Sequence, residues 1–357
     1  MTQHPTVDSH FHFWHPAWRA YPWMDGLDQL QRPFLPEDLE PLLNANDIDY
    51  AVLVQTVSDV QETREFLQIA ADTPFVAGVV GWVDLTDPDI DATIRALKDR
   101  PDGRYLVGIR HQVHDERDPG YLGRGAVQDG ISAIGAAGLV YDLLLKPPYI
   151  DAAVACAAAL PDVRFVIDHI AKPEIARHGF DQWARKMVPF AEMPHVSCKL
   201  SGMVTEADWE NWTAEDLKPY VHQVMEWFGE DRVLFGSDWP VCTLAASYER
   251  VLGALRDALG VLARGHAHLL ADLQRLDAVR AKPDVPQRDG AEPDRLLHAA
   301  LRHVHAVPDD AGGRQLPADL GDEQPLRLRL HQLALDLSFG SDLQDDRRDQ
   351  PLFALAR

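Results

Sequence analysis

The chain has only three cysteines, Cys156, Cys198 and Cys242, an odd number with no ligand-like spacing. That excludes a disulfide scaffold and a cysteine-built metal centre, and it fits a reducing compartment. No uninterrupted apolar run approaches the roughly 18 residues of a membrane span. The opening residues, MTQHPTVDSH, hold neither a basic start nor an apolar stretch, so no signal peptide is expected. Basic residues are also scarce: 34 Lys and Arg stand against 56 Asp and Glu, a net charge of −22. Such a chain repels a phosphate backbone, so nucleic acid is not an expected partner. The expectation is a cytoplasmic protein that acts on a small molecule away from membranes, with its oligomeric state open.

Another shortage is uneven along the chain. All nine Trp, all eight Tyr and all six Met precede residue 251. From Val261 onward there is one Lys and two Phe, within long stretches of Leu, Arg, Asp, Ala, His and Pro. RAKPDVPQRDGAEPD (280–294) and HAVPDDAGGRQLPADLGDEQP (305–325) read as linker. The chain therefore divides into a body, 1–260, and an atypical tail of low expected order, 261–357. The tail's composition suits a weakly folded extension, or a shifted reading frame of GC-rich DNA.

The body shows a regular alternation. β-prone runs lie at 6–14, 50–57, 75–85, 105–113, 139–147, 163–170, 195–203 and 232–241. Stretches of helical spacing separate them, among them 58–73, 87–100 and 151–162, with Ser58 and Asp151 placed as N-caps. The last, SYERVLGALRDALG (247–260), puts Tyr248, Val251, Leu252, Leu255 and Leu259 on one face. Strands apolar on both faces and alternating with helices pair in parallel through helical crossovers. Eight such units in this length predict an α/β protein, a (β/α)₈ TIM barrel. A doubly wound open sheet is the alternative, but no glycine-rich dinucleotide fingerprint follows the first run.

A barrel places its chemistry at the C-terminal ends of its strands, and the polar residues of the body fall there. Run one carries His10 and His12, two residues apart and so on one face of a strand. Run four ends with Arg110 and His111, run five with Lys146, and run six with Asp168, His169 and then Lys172. Run seven carries Lys199 and Ser201, and run eight ends with Ser237, Asp238 and Trp239. Any one of these alone is better read as a cap or a solvated end. Their joint placement is what points to a site.

The segments DSHFHFW (8–14), DHIAKP (168–173), CKLSGM (198–203) and LFGSDWPV (234–241) resemble the amidohydrolase superfamily, in order and across the body. They are similar in particular to its sugar-lactone hydrolases. The resemblance implies a TIM barrel that opens a lactone ring with water. It carries the family's metal positions to His10, His12, His169 and Asp238, where metal-dependent relatives hold one divalent ion, usually zinc. Run five offers Lys146 where many metal-using relatives have histidine, so action without a metal is equally compatible with the resemblance.

Ester hydrolysis needs a base for water, an electrophile for the carbonyl and a proton donor for the leaving alkoxide. Asp238 is the expected base. His10, His12 and His169, or a zinc they hold, are expected to polarise the carbonyl. Arg110 and Lys199 are expected to bind substrate oxygens, with Trp14 and Trp239 walling the pocket and Trp23 serving equally well in packing. The competing functions are a metal-dependent decarboxylase of the same superfamily and a noncatalytic barrel that binds a ligand. The residues do not name the lactone.

Overall fold

Runs of Val, Ile and Leu need apolar cover on both faces, and helices laid outside a closed ring of strands supply it on one side while the barrel interior supplies the other. The computed structural model describes residues 6–263. Its elements are β1 (Val7–Phe11), α1 (Pro36–Ala45), β2 (Tyr50–Val54), α2 (Val60–Asp72), β3 (Val76–Gly81), α3 (Ile90–Lys98), β4 (Leu106–His111) and α4 (Gly125–Ala136). They continue with β5 (Val140–Leu143), α5 (Ile150–Ala159), β6 (Phe165–Ile167), α6 (Phe180–Met187), β7 (Val196–Leu200), α7 (Met203–Glu206), α8 (Ala214–Phe228), β8 (Val233–Phe235) and α9 (Tyr248–Ala263).

The strands pair in sequence order, each parallel to the next. The ring closes between β1 and the residues in and just after β8. Ser9 Oγ donates to Phe235 O (2.6 Å), Asp238 N to His10 O (2.9 Å) and His12 N to Trp239 O (2.7 Å). Asp8 reinforces this seam. Its carboxylate accepts from Ser237 N (2.9 Å), His10 N (3.1 Å) and Tyr248 Oη (3.0 Å). The architecture is a TIM barrel, and α9 is tied by Tyr248 to the first strand.

Each expected run contains a strand, and each strand is shorter than its run. The ladder stops where the chain turns outward, so the polar motifs of runs six and eight lie just beyond the strand ends. The two expected N-caps are corrected. The cap of α2 is Asp59, one residue beyond Ser58, and its carboxylate accepts from Gln61 N (2.8 Å). Asp151 lies inside the first turn of α5 and pairs with Lys186. An acid there still complements the helix dipole. The expected face of α9, Tyr248, Val251, Leu252, Leu255 and Leu259, is buried, with His222 of α8 bonded to Ala258 O (3.1 Å). Beyond Ala263 the expected tail lies outside the described residues. Among the described residues no helix is long and apolar enough to cross a membrane.

Candidate active site

Alternation along β1 decides which side chains enter the barrel. His10 and His12 share one parity, and both are buried. The two imidazoles reach the same point: His10 Nε2 and His12 Nε2 are 3.2 Å apart. Two further segments bring partners. Asp238 follows β8 with a left-handed φ of 57°, and its Oδ1 lies 3.4 Å from His12 Nε2, 3.8 Å from His10 Nε2 and 3.9 Å from His169 Nε2. His169 follows β6, its ring centroid 4.5 Å from that of His10. The four residues expected from the sequence to share a site therefore do meet.

His169 is held by its surroundings. Ser201 Oγ is 2.9 Å from its Nδ1. Gly202, at φ 58°, lies against the ring, and a Cβ there would come 2.5 Å from Nδ1. Glycine is needed at that position for both reasons.

The tautomers of the strand-one pair follow from their partners. His12 Nδ1 is 2.7 Å from Val54 O, which can only accept, so Nδ1 carries the proton. His10 Nε2 receives Arg110 NH1 at 3.2 Å, a guanidinium that can only donate, while its Nδ1 lies between Asp168 Oδ1 (3.2 Å) and Lys199 Nζ (3.4 Å). Both Nε2 atoms therefore present lone pairs, and Asp238 Oδ1 adds a third electron-rich atom to the same small space. Burial, opposed by Asp168 and reinforced by Lys199, holds His10 well below the ordinary imidazole range. Burial, opposed by Asp238, does the same to His169. For Asp238 burial raises the carboxyl, but the His169 and His12 imidazoles and the Lys172 ammonium outweigh it and bring it below its ordinary value. The site thus sets an ionised carboxylate beside the neutral imidazoles of His10 and His169.

Three converging lone pairs call for a cation or for the protons of water. Donors at 3.2, 3.4 and 3.8 Å from one another compare with about 3.4 Å, the edge of a tetrahedron whose bonds are about 2.0–2.1 Å. Imidazole nitrogen with carboxylate oxygen is also the donor chemistry of zinc. The residues present therefore fit a divalent ion at His10, His12 and Asp238, with His169 beside it. Arg110 NH1 also donates to His10 Nε2, at 3.2 Å, so an ion there would share or displace that contact.

Below this group lies a layer of buried charge. Asp168 Oδ2 accepts from Arg110 NH1 (3.0 Å), and Lys199 Nζ stands 2.9 Å from Asp168 Oδ1 and donates to Asp142 Oδ2 at 2.6 Å. Arg110 further donates to Gln55 O. Asp142 and Gln55 belong to this layer and were not singled out from the sequence. The available signal for Asp142 was an acid inside the apolar run YDLLL. Burial raises Asp142 to about 6, with Lys199 pulling against it. Among the Lys199 influences burial lowers it, and the two carboxylates prevail and raise it.

Other expected residues go elsewhere. Trp14 is fully buried, donates Nε1–H to Leu30 O (2.9 Å) and packs against Trp23, Tyr21 and Phe34. Its surroundings make it packing under the β1 loop, with no ring face left to wall a pocket. Trp239 packs edge-on against Phe13 and Phe34. His111 has the opposite parity to Arg110 and leaves the barrel interior: Trp82 Nε1–H donates to its Nδ1 (3.0 Å), and its Nε2 faces Glu116 (2.8 Å). Lys146 is exposed beyond β5, and the inward residue of that strand is Asp142. Lys172 pairs with Glu206 (2.8 Å) near the site.

A closed parallel barrel thus brings histidines from the ends of β1 and β6 to an aspartate after β8, a donor set that suits water or a divalent ion. The Amidohydrolase family model matches residues 7–260, and the chain belongs to that family. It is 40% identical to an L-fucono-1,5-lactonase of Burkholderia ambifaria over 68% of this chain and 82% of the relative. It is 38% identical to an L-fucono-1,5-lactonase of Burkholderia multivorans over 69% of this chain and 85% of that one. A crystal structure of a Burkholderia multivorans amidohydrolase with bound zinc superposes with a TM-score of 0.68 at 34% identity, covering 75% of this chain and 95% of that one.

Proposed function

We infer that the protein is a cytoplasmic hydrolase of aldonolactones, and that residues 1–260 form its catalytic unit. L-Fucono-1,5-lactone is the first substrate to test, given the relatives it resembles. The observation that carries the reading is the convergence of ionised Asp238 with His10, His12 and His169 at the C-terminal mouth.

Asp238 takes a proton from water, which then attacks the lactone carbonyl. The Nε2 atoms of His10 and His12 carry lone pairs and so cannot themselves donate to the developing oxyanion. They bind the protons of the water and hold it beside Asp238. The donors available to oxyanion and leaving alkoxide are His169, whose Nε2 carries the proton when Ser201 Oγ–H donates to Nδ1, and the guanidinium of Arg110. Arg110 and Lys199 lie beneath the site paired with Asp168 and Asp142, and Trp239 shapes its rim by packing. A divalent ion held by the His10, His12 and Asp238 donors, when bound, would supply Lewis-acid polarisation of the carbonyl.

The test is acid release from a panel of aldonolactones, with Asp238→Asn as the control. That substitution keeps the shape and removes the base, so turnover should fall at least about a hundredfold. Turnover near the parent's places the base elsewhere. Release of carbon dioxide from an aromatic acid, with no lactone opened, turns the reading to decarboxylation.

A further inference from the structure

Beside the histidine–aspartate centre, the segments that follow β2 and β4 enclose a cleft of about 450 Å³, a volume within the range of about 300–1,000 Å³ usual for small-molecule sites. Ser58 lines it from the first segment, and His111, Gln112, Asp115, Glu116 and Arg117 line it from the second. Both segments leave the C-terminal ends of their strands, so the cleft opens on the same face of the barrel as the centre. Two observations join them. Gln112 stands two residues beyond Arg110, so it repeats that residue's parity one step nearer the mouth, and the Arg110 guanidinium reaches His10 Nε2 at 3.2 Å. Asp115, on the cleft wall, lies in the field of the Lys172 ammonium, which also acts on Asp238.

The wall of the cleft is braced. Trp82 Nε1–H donates to His111 Nδ1 at 3.0 Å, so His111 carries its proton on Nε2 and donates it to Glu116 Oε1 at 2.8 Å. The Tyr121 ring stacks on the imidazole, centroids 5.0 Å apart and planes 16° from parallel. Tyr149 Oη donates to the backbone oxygen of Glu116 at 2.5 Å. Glu116 is therefore fixed at side chain and backbone, yet among the described residues its second carboxylate oxygen makes no hydrogen bond. The Gln112 amide and the Arg117 guanidinium are likewise uncommitted there. Asp118 and Arg124 satisfy each other at 2.9 Å, which leaves the Asp115 and Glu116 carboxylates against Arg117. That balance disfavours an anion and suits a neutral ligand rich in hydroxyls. A carboxylate oxygen accepts a short, strong bond from a hydroxyl, a side-chain amide both accepts and donates, and a guanidinium donates. An aldonolactone is such a ligand. We propose that this cleft is the subsite for the hydroxylated part of the lactone, with Glu116 and Gln112 the specificity-determining residues that read its hydroxyls. His111, turned away from the barrel interior, serves as the brace of Glu116. The proposal deepens the lactonase reading and rests on it for the identity of the ligand.

The test compares the best aldonolactone of the panel with δ-valerolactone, a lactone ring without hydroxyls, on the full-length protein. Glu116→Gln keeps an acceptor for His111 and takes the charge from the free oxygen. Gln112→Ala removes a side chain that bonds to nothing else in the described residues, so it carries the test if the first variant does not fold. On the aldonolactone KM should rise about 10–100-fold in Glu116→Gln and about 3–10-fold in Gln112→Ala, the worth of one hydrogen bond to a charged and to a neutral group. Because that binding is shared by ground and transition states, kcat should stay within about threefold of the parent's. The preference for the hydroxylated lactone, as a ratio of kcat/KM values, should fall by the same factors. A parent-like KM in both variants overturns the proposal. So does a fall in kcat with KM unchanged, or an equal loss on δ-valerolactone, since either marks a role in folding alone. If the parent opens no lactone, the functional reading fails and calorimetric titration with the neutral alditol L-fucitol decides the subsite. Binding by the parent that weakens about tenfold or more in Glu116→Gln keeps the subsite; no binding, or binding that the variant leaves unchanged, overturns it.

Discussion

His10, His169 and Asp238 set the pH behaviour through their burial. Both imidazoles sit well below their ordinary range, by desolvation, so neither gains a proton as pH falls from 8 through about 6.5. Asp238 is depressed as well and stays ionised over the same span. The signs agree: base present, imidazole lone pairs present. The expected kcat/KM profile is therefore flat from pH 8 down to about 6, and its acid limb lies below the ordinary histidine value of about 6.5. An acid limb centred at or above that value would show an unburied imidazole in control. At the same scale, Gly202 and Gly236 matter through the side chains they lack, since each leaves room for one histidine of the site.

The element that most constrains the site is the turn after β6. His169, Ile170, Ala171 and Lys172 all have left-handed backbone, with φ of 53°, 49°, 60° and 48°. For non-glycine residues this costs roughly 1–2 kcal/mol each, and Ile170 is β-branched, which makes it the most unfavourable of the four. The turn persists because surrounding groups hold it. Ile170 and Ala171 are fully buried, Trp183 of α6 donates Nε1–H to Ile170 O at 2.6 Å, and Lys172 is tied to Glu206. Trp183→Phe keeps most of the bulk and removes the donor to a buried carbonyl. Stability should drop by about 1–3 kcal/mol in urea unfolding. The kcat should fall too, by up to about a hundredfold if His169 shifts by about 1 Å. Lower stability with parent-like kcat would show that Ser201 and Gly202 alone aim His169.

For the whole molecule, the seam decides what the catalytic unit must contain. Tyr248, the first residue of α9, donates to Asp8 of β1 at 3.0 Å, so the last described helix is joined to the strand that carries His10 and His12. Every group of the site lies between those two residues. Limited proteolysis of the full chain should leave a resistant fragment of about residues 1–260 that keeps lactonase activity, with early cuts falling between about 262 and 330. Resistance of residues 261–357 equal to that of the body would overturn the division at 260.

Much of this protein was legible in its residues. Short apolar runs alternating with helical stretches point to parallel strands joined by helical crossovers, because strands apolar on both faces need cover on both, and eight such units point to a ring rather than an open sheet. The parity of His10 and His12 places both rings on one face. The polar ends of runs six and eight mark where His169 and Asp238 emerge. The buried charge layer was not legible in the same way. Arg110, Asp142, Asp168 and Lys199 are spread along the chain from position 110 to position 199, and only closure of the barrel brings their charges together. Nor could local pattern show that Trp14 is packing, that His111 turns outward, or that four residues without glycine adopt a left-handed turn. Propensity argues against such a turn, and it exists because Trp183, Glu206 and Gly202, distant in sequence, make it the arrangement that buries and bonds the most. The sequence by itself determined the ring and the residues at its mouth; the tertiary structure decided which lone pairs face one another, because tautomer and orientation depend on partners that only folding supplies.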